Sequence, residues 1–194
     1  MIHPDTELRF VNESIGHGVV ATRDIPKGTI TWVQDELDRE FSPGEIRRLG
    51  EPFAASLDKY CFRNQHGRWV LCWDHARFVN HSFKSNCVTT AYNFEIAVRD
   101  IRAGEELTDD YGYLNIMRPF EAIDEGVGRT VVYPDDLERY HPHWDDQLRA
   151  VWPRIARVSQ PLRPLLAPEV WERVRRVAQG AEEMASILEC YYRA

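Results

Sequence analysis

Two short segments put hydrogen-bonding side chains where a chain would otherwise build core, and this limits the fold more than any other feature. One runs Arg77-Phe78-Val79-Asn80-His81-Ser82-Phe83-Lys84-Ser85-Asn86-Cys87. The other runs Gly104-Glu105-Glu106-Leu107-Thr108-Asp109-Asp110-Tyr111-Gly112-Tyr113. Asn, His, Asp and Tyr are interleaved there with apolar residues that belong out of water. Such groups are costly to desolvate unless each finds a partner. An ordinary strand core does not select them, so the fold must bring them to matching polar groups or to a ligand.

The pattern around these segments reads as short strands. Residues 7–11 alternate polar and apolar, the mark of a half-buried strand. Residues 19–21 and the β-branched and aromatic run 29–33 read as two more. Residues 60–63 and 68–73 form a hairpin around Gln65-His66-Gly67, and 88–92 and 94–99 form another that turns near Asn93. The sequence Arg-Asp-Ile-x-x-Gly occurs twice, at residues 23–28 and 99–104. It is one strand-to-turn solution used twice, not a tandem repeat. Ser42, Pro43 and Glu45 make an N-cap, a first helical residue and a capping-box partner, so a helical insert is expected at about residues 42–57, interrupted by Gly50 and Pro52.

After Asn115 the pattern changes. Helix starts are expected at Pro134 and Pro168. Val170, Val174 and Val177, then Met184, Ile187, Leu188 and Tyr191, recur at helical spacing on either side of Gly180. The expectation is an α+β, β-rich chain: a body over residues 1–115 and an α-helical extension over residues 116–194.

The 194 residues carry a net charge of −7. That argues against direct nucleic-acid binding through phosphate contacts and suits a cationic partner, although solubility alone explains it equally well. No run approaches the roughly 20 apolar residues that span a bilayer, and the N-terminus has no signal-peptide pattern, so a cytoplasmic protein without membrane contact is expected. The four cysteines form neither CxC nor CxxC, and are expected to be reduced. His141-Pro142-His143-Trp144-Asp145-Asp146 has metal-ligand types without a recurrent spacing and reads as a solvated loop. No metal is expected.

Each polar motif has a functional and a plain reading. Gly16-x-Gly18 permits close approach of a ligand to the backbone, or is a tight turn. Asn80-His81 offers donors and acceptors for an amino-acid head and an adenine edge, or is a satisfied turn with a buried His. The Tyr111 hydroxyl can orient an amine beside carbonyl dipoles, or is a core phenol with a partner. Gly112 favours close packing of another segment or ligand there.

In this order, Gly16-x-Gly18, Arg77-Phe78-x-Asn80-His81-Ser82 and Glu106-Leu107-Thr108-x-Asp110-Tyr111-Gly112 resemble the signatures of the SET-domain methyltransferases, over roughly residues 8–115. The resemblance implies short curved sheets of β-clip type around a pseudoknot. It implies S-adenosylmethionine as cofactor, held by Gly16, His17, Gly18, Asn80 and His81, and methyl transfer to lysine with Tyr111 as the catalytic tyrosine. Tyr60, Asp109 and Tyr113 are the candidate channel residues. The acceptor is expected to be a basic protein or peptide tail. A non-catalytic binding module, or an enzyme acting on a non-lysine amine, is the alternative.

Three departures bear on this. Phe83 stands where many members have a zinc-binding Cys, and no CxC follows, so no zinc is expected. In members without that zinc a C-terminal helix closes the lysine channel, which makes Trp144, Trp152, Trp171, Tyr191 and Tyr192 lid candidates unless they simply bury the tail. Asp109 replaces the usual Phe or Tyr that limits the number of methyl groups added. A monomer, or a homodimer through the C-terminal helices, is expected.

Overall fold

Strands this short, broken by Gly and Asp turns, cannot build one wide sheet, and among the described residues the chain lays down five small ones. The computed structural model describes residues 1–51 and 53–193. β1 (Thr6–Asn12) and β2 (Gly16–Ala21) form an antiparallel pair. β3 (Ile30–Val33), β4 (Arg39–Phe41), α1 (Pro43–Leu49), α2 (Phe53–Tyr60), β5 (Cys61–Arg63) and β6 (Trp69–Leu71) follow. Then come β7 (Asn80–His81), β8 (Cys87–Thr89), β9 (Phe94–Ala97), β10 (Thr108–Asp109), β11 (Phe120–Glu121) and β12 (Val131–Val132). The chain ends with α3 (Asp136–Val151) and α4 (Pro168–Ala178). The sheets are β3-β9-β8, β4-β6-β5, the antiparallel pair β11-β12 and the parallel pair β7-β10.

Local chemistry explains several of these boundaries. The Ser42 hydroxyl accepts from Glu45 N–H and the Glu45 carboxylate from Ser42 N–H, so α1 starts in a full capping box with Pro43 behind the cap. Pro52, the second expected interruption, lies outside the described residues. The repeated Arg-Asp-Ile-x-x-Gly turns cap each other. Ile25 and Ile101 exchange backbone hydrogen bonds of 2.7 and 2.9 Å. Asp24 accepts from Ala103 N–H, and Asp100 from Lys27 N–H.

The extension has no separate core. Trp144, Leu148, Trp152, Val174 and Ile187 share one apolar cluster with Ile30, Val88, Phe94 and Ile96 of the body. The Gln160 amide ties the two parts further, accepting from Ile30 N–H and donating to Gly28 O.

Three expectations about the extension are corrected. It opens with the β11-β12 hairpin. The stretch beyond Gly180 is a 3-10 turn, Ile187–Cys190, in place of a second helix. The segment from His141 to Asp146 is not a loop but the middle of α3. Pro142 removes the N–H that Glu138 O would receive, and the His141 ring nitrogen takes that place at 2.9 Å. The helical spacing of Leu137, Trp144, Leu148 and Val151, all buried, outweighs the proline. Among the described residues no helix is long and apolar enough to cross a membrane.

Candidate active site

The two polar motifs meet through the parallel β7-β10 pair, where Asn80 stands opposite Thr108 and His81 opposite Asp109. On its other side the second motif is tied to β2, with Leu107 N–H donating to Val19 O at 2.8 Å. Three segments distant in sequence therefore converge. Gly18 is required at this convergence: a Cβ there would lie 2.2 Å from Glu106 Oε1 and 2.9 Å from Asn80 Nδ2. Gly16 supplies the left-handed turn into β2, with φ of 85°. The Asn80 amide donates to His17 O at 3.0 Å and to Glu106 Oε1 at 2.6 Å. The exposed His17 ring stands edge-on between Phe10 and Phe78.

His81 turns inward. Its Nδ1 accepts the Tyr111 N–H at 3.1 Å. Burial lowers its pKa, against the pull of Asp110 and Glu125. The ring is thus neutral with its proton on Nε2, a nitrogen that has no partner among the described residues. His81 fixes the backbone of Tyr111 and packs edge-on to Phe83 and Phe120.

Tyr111 donates its hydroxyl proton to Val79 O at 2.6 Å. Burial first, then the charges of Asp109, Glu106 and Glu95, raise its pKa, so the phenol stays protonated. With its proton committed, the oxygen keeps lone pairs for a donor such as an amine. Tyr111 and Val79 line a cavity of about 400 Å³ whose wall also includes Trp32, Tyr60, Glu95 and Asp109.

Of the expected channel residues, Tyr60 and Asp109 lie on this wall, Tyr60 with its ring against Phe78 at 5.4 Å. Tyr113 does not. Its ring is buried against Trp144 at 5.2 Å, because the apolar face of α3 covers that side. Its hydroxyl accepts from Asp110 N–H and shares its proton between Cys87 O and Asp109 Oδ1.

The tail aromatics do not close the cavity either. Trp144 and Trp152 are core residues. Tyr192 packs over Gly67, with the Arg63 guanidinium 4.6 Å from its ring. The wall is completed instead by the end of α2 and by Leu114, Ile116, Met117 and Phe120.

Two features escape a reading of the motifs alone. Arg129 ion-pairs with Asp110 and, at 2.7 Å, with Asp136 at the start of α3, while its guanidinium lies 4.4 Å from the Phe83 and Tyr140 ring centres. This is the close neighbour of Gly112, where a Cβ would fall 3.0 Å from Arg129 Nη2. Glu95 is the other. It sits opposite Trp32 in the β3-β9 register, within the apolar run Phe94-Glu95-Ile96-Ala97, and that interruption was its only signal. Among the described residues no group of three His, Cys, Asp or Glu is placed to hold a metal ion.

The site's chemistry fits an amino-acid-bearing cofactor at the Gly16–Gly18 turn: a turn open at His17, an anchored Asn80 amide and aromatic edges beside it. The sequence model of the SET domain family matches residues 16–112. The chain is 30% identical over 111 residues to "N-lysine methyltransferase KMT5A-A" of Xenopus laevis and to "N-lysine methyltransferase KMT5A" of Xenopus tropicalis. Each match covers 50% of this chain and 33% of the relative, so the chain spans about a third of the length of the curated relatives it matches.

Proposed function

The chain belongs to the SET-domain family, and on that premise we propose that it is a protein-lysine N-methyltransferase that uses S-adenosylmethionine. The observation that carries this reading is the Tyr111 hydroxyl, locked on Val79 O in the wall of a cavity wide enough for an aliphatic amine. The next residue after Val79, Asn80, turns its amide the other way, to the Gly16–Gly18 turn. Tyr111 therefore stands between a cofactor cleft and an acceptor cavity.

When bound, S-adenosylmethionine supplies a methyl group made electrophilic by its sulfonium sulfur. The backbone of Gly16, His17 and Gly18 would hold it, with Asn80. His81 acts on the site by holding the Tyr111 backbone. Tyr111 orients the attacking nitrogen through its remaining lone pairs. Most of the catalytic effect of such a site comes from alignment and exclusion of water, which need no strong acid or base on the cofactor side.

The name of the Xenopus relatives supports lysine as the acceptor. The net charge of −7 supports a cationic protein tail as the target, without direct nucleic-acid contact. The test is transfer from radiolabelled S-adenosylmethionine to a panel of basic proteins, with the modified residue located by mass spectrometry. Wild-type protein should label lysine, and Tyr111→Phe should lower the rate by about 10²-fold. Failure of the wild type to bind the cofactor in calorimetry would sink the reading.

A further inference from the structure

The cavity contains two carboxyl groups that a passive lysine channel does not need. Glu95 on β9 and Asp109 on β10 both line it and are hydrogen-bonded to each other. Asp109 is 5% exposed and also receives the Tyr113 hydroxyl at 3.0 Å. Glu95 is half-buried beside it, and two carboxylates in contact with so little water around them cannot both ionise cheaply, so one proton is shared between them. Such a pair adds nothing to stability that a pair of apolar residues would not add better. Beside it, the indole N–H of Trp32, another buried wall residue, has no partner among the described residues. The wall that Tyr111 shares with these groups is thus partly polar, and their charges act on its hydroxyl.

We propose that Glu95 and Asp109 dock the target's ammonium group in this cavity and take one proton from it before methyl transfer. The inference rests on the methyltransferase reading and adds to it a proton acceptor. Lysine arrives as R–NH3⁺ and cannot attack in that form. It gives one proton to the pair, which passes from one shared proton to two and loses its negative charge. The freed lone pair forms the N–C bond to the sulfonium methyl group. The C–S bond breaks with its electrons left on sulfur, giving a neutral thioether. The positive charge leaves on the methylated amine, and the pair returns its second proton to solvent.

The acid–base match supports this order of events. Burial raises Asp109 to about 7, with the Asp110 charge adding to the rise and hydrogen bonds from Tyr113 and Glu95 opposing it. Burial and the Asp109 charge hold Glu95 well above the ordinary range. Glu95 therefore keeps the shared proton and Asp109 is the acceptor near neutral pH. Burial of an ammonium lowers its own pKa toward that of the pair. The other charged or titratable groups facing the pair are the N-terminal ammonium, Cys72, Cys87, Tyr111 and Tyr113. Asp58, Lys59, Arg63, Arg77 and Arg118 line other parts of the cavity.

The test has a binding arm and a rate arm. N-acetyl-lysine methylamide and its norleucine counterpart, which has the same aliphatic stem without the ammonium, are titrated into wild type, Asp109→Asn and Glu95→Gln by NMR, without cofactor. Wild type should prefer the lysine compound by about tenfold or more, and both variants should lose the preference. In the rate arm, Asp109→Asn should transfer methyl about 10²-fold more slowly near pH 7.5. That deficit should shrink to a few-fold as pH approaches the free amine value of about 10.4. A lysine preference retained by both variants overturns the proposal whether or not transfer is ever detected, so its failure is separate from failure of the methyltransferase reading. A deficit equal at all pH values overturns the proton transfer. If both variants misfold, infrared spectra of the wild type decide: absence of a protonated carboxyl band at pH 7 overturns the shared proton.

Discussion

Two buried charge clusters lie on either side of the segment Asp109-Asp110-Tyr111, and they are built on opposite terms. Arg129 joins Asp110 to Asp136, one cation pairing two anions, with the rings of Phe83 and Tyr140 against its guanidinium. Glu95 and Asp109 set two acids against each other, and among the described residues neither has a salt bridge to a cation. The first arrangement satisfies its charges within the fold and fastens the extension to the tyrosine segment. The second leaves its charge to be satisfied by something else. A perturbed acid in a cleft is a candidate for chemistry, and on the proposal above the two clusters divide the work: Arg129 holds the site together and the acid pair acts in it.

The largest expected effect tests the first half of this contrast. Arg129→Leu leaves Asp110 and Asp136, each 1% exposed, buried without their cation. Breaking a buried pair in this way costs about 3–5 kcal/mol. Urea unfolding of Arg129→Leu should show that loss, and Arg129→Leu with Asp110→Asn and Asp136→Asn should recover part of it. A single variant within about 1 kcal/mol of wild type would erase the distinction, because it would put the junction among exposed ion pairs.

The second effect is smaller and depends on pH. Asp109 holds its proton up to about 7 in the folded chain, against an ordinary value of 3.8. Glu95 shifts in the same direction. Between those values the folded chain binds more protons than the unfolded one, so stability falls as pH rises from about 4 to 7. For Asp109 alone that shift corresponds to about 4 kcal/mol, and Glu95 adds in the same direction. Asp109→Asn should flatten the slope, whereas Arg129→Leu should lower the curve without flattening it. Thermal melts across that pH range read both. A wild-type curve that rises over the whole interval would show that the acids are not forced together.

The same contrast explains what the sequence made legible. The order of motifs pointed to the family, to the α+β, β-rich class and to the Gly16, Asn80 and Tyr111 neighbourhood, because each motif is contiguous and carries several unusual residues. Asp109 stood out for the same reason. Its partner Glu95 did not, since one acid in an apolar strand is ambiguous until the β3-β9-β8 sheet and β10 are brought together. Arg129 was invisible among many arginines: its partners Asp110 and Asp136 are 19 and 7 residues away, one on each side of it. Tyr113 was misplaced because its spacing from Tyr111 says nothing of which side α3 covers. The tail aromatics were open to two readings, lid or core; the shared apolar cluster with Phe94 and Ile96 takes Trp144 and Trp152 as core, with Trp171 and Tyr191 packed against it, while Tyr192 lies over Gly67.

The smallest effect concerns Phe83, whose ring lies under the Arg129 guanidinium at 4.4 Å and against the His81 ring at 4.5 Å. A cation over an aromatic face adds about 0.5–2 kcal/mol according to how dry it is. Because His81 is neutral, no second cation competes for that face. Phe83→Leu keeps most of the apolar volume and removes only the π face, so about 1 kcal/mol should be lost in the same urea assay. Methyl transfer should be nearly unchanged, since the His81–Tyr111 hydrogen bond does not pass through the ring. If Phe83→Leu cost as much as Arg129→Leu, the junction would be held by aromatic stacking more than by its ion pairs. The two clusters would then differ in packing and not in how their charges are met.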